Sequence, residues 1–518
     1  VSSRTKVKPD WRTGVALNII THRQSGINGF QIQVAVSKLL VKELTAHGQF
    51  YQDGPQAFYR DAETGETIEI DGSDRFNLML ARFAIFPADP IYKYVTSALY
   101  FHARLHAPKI RVHRQAHFNR DTPALYVSDM GHRMYRITAD RSEPELVENG
   151  TDDVLFVTRS SWEPFSYTAP ASLSDLLSVL TGELLFAETA LSADDQKMLI
   201  VLSHLATYFP DNMRTRVIPV FIGPPGSRKT TLMRRMGCLA FGSQWDVTPL
   251  STDLRDLEVA LTTECLLGCD NADSYVKGFA DRLAIAGTGG TLKQRRFYTN
   301  NELVEYRVVA HVRITSRTPS FLREDVADRV IPIHLERPST GGGVGDYYLH
   351  GEIIGKRDAL MTRVLLVLRD IVAAYKEQGG KPIPVSLRMA EFGEFAIIAG
   401  RALGWDMEPV LRRLGEAQGQ LAAEDDPLLA LLDAWAAPGA SEIPEIKRSD
   451  LCRALTAFGQ ERRMPLGFAA NDARSFAQTW NNCITTLKKN FVITERTAGG
   501  GFVYVTIRRK PEAAEASK

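Results

Sequence analysis

Cysteine, net charge and long apolar runs are all scarce in this chain of 518 residues, and each shortage closes off a class of protein. The five cysteines, Cys238, Cys265, Cys269, Cys452 and Cys483, are odd in number and form no CxxC pair. That excludes a disulfide framework and makes free thiols in a reducing cytoplasm the expectation. Lys and Arg number 62 against 61 Asp and Glu, a formal charge of +1. Bulk charge therefore points neither to a polycation that coats nucleic acid nor to an acidic, solvated chain. No apolar run approaches the ~20 residues of a membrane span, and residues 1–20 carry no charged-then-apolar leader pattern, so no membrane partner is expected. Internal repeats are missing too. The length suggests roughly three or four domains.

What is present changes character along the chain. Phe30 to His47 has apolar residues near helical spacing, and residues 50–71 have short aromatic runs broken at Asp53-Gly54 and Thr64-Gly65, the pattern of a small antiparallel sheet. A helical stretch is expected from about Asn77 to Ala107, then strands up to Arg159. Residues 1–170 thus read as an N-terminal α+β accessory module. After a helical stretch from Leu173 to Phe209, the runs 217–223, 264–270, 306–315 and 329–335 are apolar and of strand length. Spaced by helices, they are the pattern of a parallel sheet buried on both faces, in an α/β core at 171–340. Residues 341–436 read as a helical unit after the break PSTGGGVG. Residues 437–510 read as helices followed by a hairpin turned at Gly499-Gly500-Gly501, the pattern of a winged helix. A disordered tail is expected at 511–518.

The first core strand runs into Gly223, Pro224, Pro225, Gly226, Ser227, Arg228, Lys229, Thr230 and Thr231, followed by a helical segment. A strand, a Gly-rich loop and a helix N-terminus together present backbone N–H groups to phosphate oxygens. Lys229 would reach the β- and γ-phosphates, and the Thr230 hydroxyl would ligate Mg²⁺. The usual pattern is GxxxxGK(S/T), and Arg228 stands in place of its last glycine. The competing reading is a Gly/Pro turn that happens to precede Lys-Thr. A strand ending in Asp270 supplies the second oxygen ligand expected for Mg²⁺. Asn271 occupies the slot where a hydrolase usually has Glu. Asp273 is then the candidate for polarising water, unless it caps a helix. Thr315, at the end of a later strand, is placed to touch the γ-phosphate or the attacking water. Arg323 stands before the last strand and Arg329 at its start, where an arginine can enter a neighbouring subunit's site, or else form ion pairs at home.

In this order the parts resemble an AAA+ ATPase domain, with GPPGSRKT close to GPPGTGKT. GTGGTLKQRRFYTNNE (287–302) and the Asp270-Asn271 pair resemble an AAA+ family encoded by phages and mobile elements, a family of replicative helicases related to the MCM and superfamily 3 groups. RMAEFGEFAIIAGRALGW (388–405) is similar to the helical lid of that family. The resemblance implies an ATP- and Mg²⁺-dependent DNA helicase, a hexameric ring acting on single-stranded or forked DNA with a primase or origin-binding partner. It also places Arg388 where a nucleotide-sensing arginine belongs. Lys293, Arg295 and Arg296 would then form a hairpin tip in the ring's channel and track a phosphate backbone, if they are not simply a solvated turn. Two alternatives stand beside this: a protein-remodelling or defence-associated AAA+ ATPase, and a non-hydrolysing nucleotide-dependent DNA scaffold.

Charge is also unevenly placed. Residues 441–510 hold twelve Lys and Arg against six Asp and Glu, which suits duplex DNA or an acidic protein surface. His102, His106, His113 and His117 have a spacing that suggests zinc. No Cys or carboxylate completes a defined spacing, so no metal is expected there.

Overall fold

The computed structural model describes residues 10–24, 28–182, 184–295, 303–319, 321–338, 346–424, 427–436, 443–462, 464, 466 and 468–510. Helices α1 (Trp11–Gln24), α2 (Gly29–His47), α3 (Asp74–Ala81) and α4 (Tyr92–His106) surround an antiparallel sheet of β1 (Gly48–Asp53), β2 (Gln56–Asp61) and β3 (Thr67–Glu69). Their shared core includes Leu40, Phe76, Leu80 and Leu99. The single helix expected over 77–107 is two, because Pro87 and Pro90 fall between them and proline cannot continue a helical hydrogen-bond ladder. Next, β4 (Val112–His113) pairs in parallel with β9 (Leu155–Phe156). Between them, β5 (Ala116–Asn119), β6 (Ala124–Ser128), β7 (Arg133–Thr138) and β8 (Glu145–Glu148) form an antiparallel meander.

The large sheet follows α5 (Leu173–Thr181). Its strands are β10 (Leu185–Phe186), β11 (Ile218–Ile222), β12 (Thr248–Pro249), β13 (Leu266–Asp270), β16 (His311–Ser316) and β17 (Val330–Glu336), in the spatial order β10-β17-β11-β16-β13-β12. All neighbours are parallel except β10, which runs antiparallel to β17. Alternate residues of β11 enter different cores. Val220 and Ile222 pack with Leu267, Val312 and Ile314, while Phe221 packs with Ile331 and Ile333. Helices α6 (Ala193–Leu205), α7 (Lys229–Phe241), α8 (Leu254–Thr263), α9 (Phe279–Thr288) and α10 (Glu324–Ala327) cover the sheet. Between α9 and β16 stands a hairpin of β14 (Thr291–Arg295) and β15 (Leu303–Arg307). The strand expected over 306–315 is therefore two: the chain leaves the hairpin after Arg307 and enters the sheet at His311.

Beyond the sheet lie α11 (Asp346–Gly355), α12 (Arg357–Gln378), α13 (Ala390–Leu403) and α14 (Glu408–Glu424). Helices α12 and α13 share one apolar core with the β5–β7 meander and α7, which locks the N-terminal meander to the large sheet. Finally, α15 (Pro427–Trp435), β18 (Ile443–Lys447), α16 (Arg448–Arg462), α17 (Ala473–Asn490), β19 (Phe491–Ala498) and β20 (Phe502–Arg509) form a separate unit. Its sheet has the order β18-β20-β19, and Trp480 is fully buried at its centre. Among the described residues, no helix is long and apolar enough to cross a membrane.

Candidate functional site

The loop 223–228 leaves β11 at the carboxyl end of the parallel sheet, where such sheets bind ligands. Gly223 is there because nothing larger fits: a Cβ would lie 2.2 Å from the Leu335 carbonyl oxygen of the adjacent strand. Gly226 has φ +82°, and Arg228 has φ 65° and ψ 20° as it caps α7. The glycine missing from the motif is thus one whose left-handed backbone is retained by an arginine, a conformation that costs roughly 1–2 kcal/mol in an L-residue. The Lys229 ammonium lies in the loop's concavity, donating to the Gly223 carbonyl at 2.6 Å, the Pro224 carbonyl at 3.0 Å and Ser227 Oγ at 3.2 Å. Burial lowers its pKa against the opposing pull of Asp273 and Asp270.

The first turn of α7 and the ends of β13 and β16 bring oxygen atoms together beside that lysine. The Thr230 hydroxyl donates to Asp270 Oδ1 at 2.9 Å, and the Thr315 hydroxyl donates to the same oxygen at 2.5 Å. Thr315 is fully buried and also accepts from the Asn271 backbone N–H at 3.0 Å. Sheet order explains the contact, since β16 lies between β11 and β13. Asn271 has φ +56°, a region that Asn tolerates better than Glu, which accounts for its place after Asp270. An oxygen pair from Thr230 and Asp270 beside a buried ammonium fits a hard divalent cation and a polyphosphate in chemistry and spacing.

Asp273 is held rather than free. Its Oδ1 accepts from Ser316 Oγ at 2.9 Å and the Arg317 N–H at 2.6 Å, and its Oδ2 accepts from Arg317 Nε at 2.7 Å. Burial would raise its pKa, but these donors hold the carboxyl below the usual range. Arg317 carries no motif spacing in the sequence and is the site residue that pattern reading misses. Arg337, just past β17, is a second: its Nε would be 3.5 Å from a Cβ at Gly226.

The other three candidate arginines have partners outside the loop. Arg323 forms ion pairs with Asp281 at 2.8 Å and Asp325 at 3.0 Å, with its side chain half exposed. Arg329 is buried, donates to the Asp325 carbonyl and lies against Gly287. Arg388 pairs with Asp328 at 3.0 Å. Asp328 and Arg329 immediately precede Val330, which is in register with Ile218, whereas the phosphate loop follows Ile222. From Val330 to Leu335, whose carbonyl lies against Gly223, the chain runs about 16 Å at ~3.3 Å per residue, which separates Asp328 and Arg329 from the phosphate loop of their own chain. The Asp328 partner of Arg388 lies at that far end of β17.

The hairpin also differs from its expected form. Lys293 and Arg295 lie on β14 rather than at the tip, and Lys293 pairs across the strands with Glu305 at 2.9 Å. Arg296 and the tip lie outside the described residues. In the C-terminal unit, Arg496 pairs with Glu445 and Arg509 with Asp433, so part of its positive charge is neutralised at home. The histidines separate into two pairs. His102 and His106 lie side by side on α4, while His113 and His117 meet Asp211, a carboxylate brought in from far along the chain. Their ligand atoms lie within 4.8 Å of one another, but Asp211 is also in an ion pair with Arg111 at 2.7 Å.

Residues 184–407 match the family model of the actinomycete integrative conjugative element replication protein. The matched segment contains the phosphate loop, Asp270, Thr315, Arg323 and Arg388. No curated protein matches the chain. Among solved structures, the apo NrS-1 C-terminal region is 12% identical over 90% of this chain and 97% of that one, with a TM-score of 0.39. SCCmec type IV Cch, described as an active helicase, is 13% identical over 89% of this chain and 92% of that one, with a TM-score of 0.43. Likeness of this depth carries no activity from those proteins to this one.

Proposed function

We propose that the chain is an ATP-dependent DNA translocase, a helicase that works in the replication of a mobile element. The observation that carries the proposal is the convergence of Lys229, Thr230, Asp270 and Thr315 at one end of a parallel sheet. The family match over 184–407 supports the replicative setting.

In this reading Lys229 exchanges its loop carbonyls for phosphate oxygens, and the loop N–H groups and the start of α7 hold the triphosphate. Thr230 and Asp270 hold Mg²⁺, which when bound neutralises charge on the phosphates. Thr315 fixes Asp270, reports on the nucleotide and couples the two strands. Asp273, clamped by Arg317, serves as a fixed anion that orients water rather than as a strong base. Arg323 is the candidate to complete a neighbouring copy's site, because its half-exposed side chain stands just before the last strand with only exposed partners, Asp281 and Asp325. A ring, hexameric by resemblance, would set Arg323 of one copy against the loop of the next. Lys293, Arg295 and Arg296 would then face a DNA strand, with the C-terminal unit acting as a winged helix on duplex DNA.

Strand displacement on a forked DNA duplex tests this reading. Wild type is expected to unwind the fork with ATP and Mg²⁺, and Lys229→Ala is expected not to. ATP-dependent nucleic-acid binding without displacement would favour a nucleotide-gated scaffold instead, a reading motivated by the strained Arg228 and the clamped Asp273.

A further inference from the structure

A cavity of about 260 Å³ opens at the end of the sheet away from the phosphate loop. Its walls are the turn between β1 and β2, the segment 111–116, the entries to β11, β13 and β16, and the root of the β14–β15 hairpin. Four arginines line it: Arg111, Arg114, Arg216 and Arg307. Among the described residues, only Arg111 has a carboxylate in contact, Asp211. Arg216 is 6% exposed. One of its terminal nitrogens donates to the Val308 carbonyl at 2.8 Å, and its Nε has no partner. Arg114 donates to the Thr262 carbonyl at 3.3 Å, and its Nε is likewise buried and unpartnered. His311 Nε2 is a third buried, unpartnered nitrogen on the same wall.

The acidic groups lining the cavity are already engaged. Glu305 is paired with Lys293 at 2.9 Å, and Asp53 accepts from the Val112 N–H at 3.0 Å. Burial, with Arg307 and Arg111 nearby, pushes the Arg216 guanidinium down to about 10. A buried guanidinium with unmet N–H donors and like-charged neighbours is costly unless an anion completes it, and planar guanidinium groups match phosphate oxygens in pairs.

We propose that this cavity is a phosphate-binding site distinct from the phosphate loop, taking the phosphate of a nucleotide, either free or within a nucleic-acid strand. The volume admits a group of about mononucleotide size. Its position joins the N-terminal module, through Arg111 and Arg114, to the hairpin, through Arg307. Occupancy would thus pull these two parts together, whether or not the phosphate loop hydrolyses ATP.

Calorimetric titration of the full chain tests the site, in a Lys229→Ala background that weakens the phosphate loop. Pyrophosphate is expected to bind one-to-one, and Arg307→Gln to weaken it at least ~10-fold. Arg307 is exposed on β15, so this variant tests the charge without disturbing a core. Arg216→Gln, checked for an intact thermal transition, is expected to act in the same direction. Competition by AMP would identify a free nucleotide as the source, and competition by oligothymidylate would identify a strand. The proposal is overturned if pyrophosphate, AMP and oligothymidylate all fail to bind, or if binding survives both arginine substitutions unchanged.

Discussion

Arg228 holds a left-handed backbone at the position where the phosphate-loop pattern has glycine, so its strain is measurable by comparing two replacements. Arg228→Gly is expected to unfold at higher denaturant than Arg228→Ala, by about 1 kcal/mol, because both lose the side chain and only one escapes the φ penalty. Gly223 presents the opposite case. A methyl group there meets the Leu335 carbonyl at 2.2 Å, so Gly223→Ala is expected to cost about 2 kcal/mol or more in chemical denaturation and to abolish nucleotide binding. The phosphate loop was legible in the sequence because its residues are contiguous. The Thr230–Asp270–Thr315 contact was legible only as three separate candidates, since it depends on β16 lying between β11 and β13. Arg317 and Arg337 were not legible at all. Each follows a strand end with no motif around it, and only the folded sheet carries them to the loop.

Among the elements, α6 and α14 are tied by a pair that has a pH signature. Asp195 closes the capping box of α6 and accepts two hydrogen bonds from Arg413 of α14, at 2.8 and 2.6 Å. Burial raises the carboxyl's pKa, but Arg413 and the Ser192 donors outweigh it and hold the pKa below the usual value. A depressed carboxylate stabilises the fold fully above its unfolded pKa of about 3.9, and loses that contribution as pH falls through the lower folded value. Asp195→Asn is expected to lower stability by about 1.5–3 kcal/mol at pH 7. The difference should shrink as pH falls below the unfolded value and through the lower folded one, as read by urea unfolding across pH. Elements without a clear period were the ones that sequence reading lost. Strands β10 and β12 have two residues each, too short to show alternation, and the break between α3 and α4 depends on Pro87 and Pro90 rather than on apolar spacing.

For the whole molecule, the +1 balance hides local arrangement more than it reports it. Among the described residues, arginines gather around the cavity at the far end of the sheet, and in the C-terminal unit ion pairs with Glu445 and Asp433 take up part of the positive excess. The placement of Arg323 has a consequence for assembly. If a neighbour's Arg323 completes each site, Lys229→Ala and Arg323→Ala are each inactive alone, yet their mixture is expected to recover part of the turnover through hybrid interfaces. Recovery absent from every mixing ratio would assign Arg323 to its local pairs with Asp281 and Asp325.

The most direct measurement is steady-state ATP turnover with Mg²⁺, with and without single-stranded DNA, for wild type and Lys229→Ala side by side. The account predicts turnover that rises on adding DNA and falls by at least ~10²-fold in the variant, the scale expected for losing a preorganised charge on a transferring phosphoryl group. Turnover equal in the two proteins, or indifferent to DNA, would contradict it.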